Sequence, residues 1–136
     1  MKAVDRIRVL HHRDRAESFI SAMKFLADDL ATYKHAVVLL AVHASISFAD
    51  AVLIACLGQR SRDQDHTAAI RDLRALCRTR RIDEKGIAHF SWLLQRKTDF
   101  SYGDHPRYGH TDVQSAMLNA ERFQTWVYRT FGEVKV

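Results

Sequence analysis

Glycine and proline are scarce, at five and one in 136 residues. Those two residue types punctuate tight turns and loops, so there is little material here for a loop-rich or all-β architecture. Cysteine is scarcer than glycine. Cys56 and Cys77 both fall in apolar stretches of helical spacing with no metal-ligand pattern around them, which predicts buried, reduced thiols and a cytoplasmic setting. A glycine-rich phosphate loop, a nucleophile elbow and an HExxH pair are also missing. The first fifteen residues are basic but hold no apolar run and no small-residue cleavage pattern, so no secretory signal is read there.

The one long apolar run, Ala36 to Gly58, raises the question of a membrane, since about 20 apolar residues can cross a bilayer. It carries His43, Ser45, Ser47 and Asp50, and Lys34 and His35 precede it. A carboxylate inside a membrane is costly. The run therefore predicts the enclosed central helix of a soluble bundle, with no membrane partner.

What is present fits a single helical domain over 1–136, with residues 1–13 expected to form a flexible N-terminal segment. Apolar residues make up 47% and charged residues 27%, a balance that supports one buried core. Five helical segments are read, with no convincing strand. The first spans about Asp14 to Leu30, with Asp14 and Glu17 in capping-box register and Phe19, Ile20, Met23, Leu26 and Leu30 on one side. The second spans about Tyr33 to Leu57 and ends at Gly58, a suitable C-terminal cap.

The third spans about Asp63 to Thr79, with Ser61 and Gln64 as a capping box and Ile70, Leu73, Leu76 and Cys77 as its buried stripe. The fourth spans about Asp83 to Tyr102, with Ile87, Phe90 and Leu94 inward. A loop containing Pro106 and Gly109 follows. The fifth opens with Thr111 and Gln114 and buries Val113, Met117, Ala120, Phe123, Val127 and Phe131. Short connections make sequential helices antiparallel neighbours, so an all-α, up-and-down antiparallel bundle is expected.

Several stretches together resemble the HEPN domains (higher eukaryotes and prokaryotes nucleotide-binding). They are Leu93-Leu94-Gln95-Arg96-Lys97 through Tyr102, then Ala116 and Ala120-Glu121-Arg122-Phe123 in the last helix. The second helix adds Ala41-Val42-His43-Ala44-Ser45-Ile46 leading to Asp50-Ala51, then Gly58 and His66. The resemblance runs from about Ala16 to Phe131. It implies a compact, often dimeric helical bundle associated with RNA processing, toxin–antitoxin pairs or nucleotidyltransferase partners. Active ribonucleases of that family cut RNA without metal, using an arginine and a histidine four to six residues after it. Here Tyr102 follows Arg96 where that histidine would stand, and His105 lies outside the spacing.

Three constellations carry candidate chemistry. His43 and Asp50 are seven residues apart, about two helical turns, and share a helix face. A buried Asp needs a partner, and His66, Arg96 and Lys97 are the candidates. Such a set is either a structural network or an anion pocket of Asp50, Arg96, Lys97 and Tyr102. A histidine as general base, with an arginine stabilising phosphorane charge, would give His43, His66 and Arg96 catalytic roles.

Arg71, Arg74, Arg78 and Arg81 recur at helical steps and form a possible nucleic-acid patch, consistent with the net charge of +5. Few aromatics interleave to stack bases, so a solvated basic face is the alternative. Eight histidines invite a metal, but His105 and His110 flank a loop and no known ligand spacing appears. Neither metal nor cofactor is expected.

The resulting expectation is a HEPN-like, non-catalytic binding or accessory module for a nucleotide, RNA or a partner protein, forming a homodimer. A metal-independent, toxin-like ribonuclease with an altered site and a purely structural dimerising protein are the alternatives.

Overall fold

The run 36–57 is apolar around most of its circumference, so a helix formed from it can be stable only when enclosed. The computed structural model, which describes residues 1–60, 66–103 and 109–136, shows how. The chain forms α1 (Ala3–Leu26), a 3-10 turn (Ala27–Asp29), α2 (Leu30–Leu57), α3 (Thr67–Arg80), α4 (Ile87–Gln95), α5 (Lys97–Tyr102) and α6 (His110–Glu133). Among the described residues there is no strand. Helix α2 is the axis of an all-α bundle and contacts every other helix. Fifteen of its residues are buried, nearly continuously from Val37 to Ile54. Its ends are written in the sequence: the Asp29 side chain accepts from Thr32 N at 3.3 Å, and Gly58 closes it at φ 76°, where a residue without Cβ is favoured.

Helix α1 folds back along α2, which it contacts more extensively than any other pair of helices in the fold. The antiparallel register is pinned at the open end, where Arg8 Nη1 donates to Gly58 O at 3.1 Å and pairs with Asp5 Oδ1 at 3.2 Å. The expected flexible segment 1–13 is instead helical from Ala3, with Val9 and His12 buried. Asp14, expected as a cap, lies in mid-helix. The reason is visible in α1's spacing. Its inward face is Val9, His12, Ala16, Ile20 and Met23, partly small or polar, while the more apolar Val4, Ile7 and Leu10 face solvent.

Helix α6 covers α2 and α4. Phe90 of α4 stacks on Phe123 at 4.9 Å between centroids, and Phe123 stacks on Trp126 at 5.5 Å. Stacked rings add to the area they bury. The cap of α6 lies two residues before the expected Thr111: Gly109 N donates to Asp112 Oδ2 at 2.9 Å. The expected fourth helix is divided into α4 and α5 at Arg96. In an unbroken helix the Arg96 N–H would donate to Trp92 O. Here it donates to Leu93 O at 3.1 Å, and the Arg96 side chain takes Trp92 O instead, at 3.0 Å. Helix α3 begins at Thr67, later than expected; the Ser61–Gln64 box, and the loop residues His105 and Pro106, lie outside the described residues.

Candidate functional site

Residues two turns apart on one helix face are separated by about 10 Å along the axis, so His43 and Asp50 meet different neighbours. His43 lies on the exposed part of α2. Its imidazole is covered enough that desolvation, and then the charge of Lys97, hold its pKa below the ordinary value. Asp50 is buried, at 8% exposure. The charges acting on it are those of Arg60 and Arg15, whereas Arg96 and Lys97 were the cations expected to partner it. They offset part of a desolvation that pushes the carboxyl up to about 6.

Arg96 is engaged elsewhere. Its guanidinium carbon lies 3.9 Å from the centroid of the Trp92 ring, and its Nη1 holds Trp92 O. Tyr102 ends α5 with 82% of its surface exposed. His66 caps α3 in the left-handed region at φ 62°. Of the expected cations, Lys97 acts through its charge on His43, and Asp50 feels the charges of arginines outside the expected set.

Two arrangements remain. The first lies between α3 and α4, a groove of about 500 Å³ lined by Thr67, Ile70, Arg71, Arg74, Arg78, Ser91, Leu94 and Gln95. Steps of three and four residues bring Arg71, Arg74 and Arg78 to the same side of α3. Arg81 has passed beyond the helix end, as an exposed C-terminal cap at φ 58°. Helix α4 supplies the opposite wall, where Gln95 Nε2 donates to Ser91 Oγ at 3.3 Å. Arg71 meets Asp72 and Arg78 meets Glu84, each at 3.5 Å. Both are solvent-exposed pairs of little strength. Arg74 differs: its Nε is buried and has no hydrogen-bond partner among the described residues. A cationic wall over Ile70 and Leu94, with an amide and a hydroxyl opposite, suits an anion carrying an apolar or aromatic part.

The second arrangement lies along α1 and α2, where His12 and Asp50 are each buried and both feel the charges of Arg15 and Arg60, with Arg8 and His11 acting on His12 as well. His12 was not legible as a candidate, because the segment containing it had no inward apolar stripe to mark it as helix. A signal was present all the same: His12, Ala16, Ile20 and Met23 follow the three- and four-residue steps of a buried face. No group of three metal-ligating side chains occurs among the described residues.

No protein-family model matches the chain, and no characterised protein matches it significantly.

Proposed function

We propose that this protein is a HEPN-like, non-catalytic binding module that holds the phosphates of RNA or a nucleotide in the α3–α4 groove. The observation that supports it most is Arg74. Its guanidinium lines the groove, and its buried Nε meets no acceptor among the described residues; an unpaired N–H of that kind costs about 1–3 kcal/mol, which favours an anion that engages the guanidinium. Arg71 and Arg78 flank it on the same wall. A phosphate there takes charge-assisted, bidentate hydrogen bonds of the strong kind. The base or sugar rests against Ile70 and Leu94. The ribonuclease alternative has less support: the Arg96 guanidinium is committed to Trp92, and the charges that act on Asp50 are those of Arg60 and Arg15.

Fluorescence anisotropy with a labelled single-stranded RNA tests this reading. Wild-type protein is expected to bind more weakly as salt rises. Arg74→Gln should weaken binding about tenfold while leaving the RNA intact. Unchanged affinity in Arg74→Gln, or RNA cleavage abolished by His43→Ala and Arg96→Ala, would overturn it.

A further inference from the structure

The seam between α1 and α2 presents a problem that the groove does not solve. His12 is 8% exposed, and its Nδ1 is buried with no hydrogen-bond partner among the described residues. Buried polar atoms are nearly always paired, and an orphan calls for a partner that the chain does not supply. Among the described residues, the charges that act on this ring are positive, those of Arg15, Arg60 and Arg8, with the His11 ring 5.6 Å away, edge to face.

Arg8 is committed to Asp5 and to Gly58 O. Arg15 and Arg60 are exposed, whereas His12 and Asp50 are each buried. Arg15 Nη2 donates to His11 Nε2 at 2.8 Å, and among the described residues the carboxylate that feels the charge of both arginines is Asp50. Among the described residues, one buried carboxylate is set against the charges of two arginines, which leaves positive charge in excess beside a ring nitrogen that has no partner among them.

We propose that this seam is a second anion site, one that takes a small tetrahedral oxyanion such as a phosphoryl group. Arg15 and Arg60 hold it from the surface, and the His12 Nδ1–H donates from below. Asp50 is its built-in competitor. An ionised Asp50 neutralises part of the charge of the same two arginines and repels the incoming anion. A protonated Asp50 releases both. With the carboxyl at about 6, occupancy rises as pH falls through that value. His12, lowered to about 4 by burial and by Arg15, Arg60, His11 and Arg8, stays neutral over the same interval and donates as a neutral imidazole.

Sulfate is the test ligand, since it keeps its double charge over this range while phosphate does not. Sulfate is titrated into wild-type protein with carbon-13-labelled histidine, following the His12 ring resonance at pH 5.5 and 7.5. The His12 signal is expected to shift with sulfate, and the apparent Kd to be about tenfold lower at pH 5.5. Asp50→Asn should bind at pH 7.5 as wild type does at pH 5.5. Arg60→Gln, at an exposed position, should lose the shift while its helical circular dichroism stays that of wild type. Arg74→Gln, in the other groove, should keep it. Repeating the titration with phosphate and with a nucleoside monophosphate separates a site for the free ion from one for a phosphate ester; tighter binding of either fits the site. A His12 signal indifferent to all three anions, or a shift that survives Arg60→Gln, overturns the proposal, as does an adventitious ion only, seen as a response without pH dependence.

Discussion

A carboxylate left 8% exposed on α2 loses most of its hydration, and the charges of Arg60 and Arg15 return only part of it, so Asp50 sits at about 6 instead of 3.8. A raised folded pKa means that the folded state binds the proton more tightly than the unfolded chain does. Stability contributed by this group is therefore present at low pH and is lost as pH rises from the unfolded value through about 6. Asp50→Asn, which keeps the shape and removes the charge, should stabilise the protein at pH 7.5 by about 1–3 kcal/mol. Urea denaturation at pH 7.5 and pH 4 checks it, with the gain expected to vanish at the lower pH. His12 obeys the opposite sign: its pKa is lowered to about 4, so its contribution is lost as pH falls from about 6.5 toward 4.

At the scale of elements, the position of α4 depends on a contact that admits no side chain. A Cβ added to Gly86 would come within 2.2 Å of Trp126 Cγ. The same indole donates from Nε1 to Asp83 O at 2.7 Å, and so fixes the approach to α4 from two points. Gly86→Ala should therefore cost about 1–3 kcal/mol, the range for overpacking a filled site. It should also displace the α4 wall of the groove and weaken RNA binding more than its distance from Arg74 suggests. Thermal unfolding and anisotropy on the same variant measure the two effects. This contact was hidden in the sequence, because nothing in a Gly-Ile-Ala stretch announces a tryptophan forty residues later. The division of α4 from α5 was hidden for a similar reason. Helix breaks are read from glycine and proline, and this one is made by an arginine side chain competing with its own backbone.

Across the whole molecule, the all-α bundle and the centrality of α2 were legible, since an apolar circumference and the Gly58 cap leave few alternatives. The inward stripes of α3 and α6 were largely legible too, through Leu73, Leu76, Val113, Phe123 and Val127. The arginine face was legible as a periodic pattern, but the groove beneath it was not, because α4 builds its other wall. Of the seam, Asp50 was legible as a carboxylate in need of a partner, but its association with His12, Arg15 and Arg60 was not. Its members lie far apart in sequence, and their shared neighbours, Arg15 and Arg60, follow from the antiparallel register of α1 on α2.

That register has a measurable effect on the stability profile. Between about pH 4 and 6 the slopes of His12 and Asp50 are opposite and of similar size, about 1.4 kcal/mol per pH unit each. Wild type should show little pH dependence from this pair, whereas Asp50→Asn should lose stability steadily on acidification. Denaturant midpoints at half-unit steps distinguish the two profiles.

Near pH 5 the unfolded chain carries a charged imidazole at position 12 and a charged carboxylate at position 50. The folded protein carries neither, with His12 at about 4 and Asp50 at about 6. Folding then moves one proton from imidazole to carboxyl and takes none from solvent. Proton inventories by calorimetry in buffers of different ionisation heat would register nothing from this pair, while a spectroscopic probe on either ring or carboxyl would register a complete transfer.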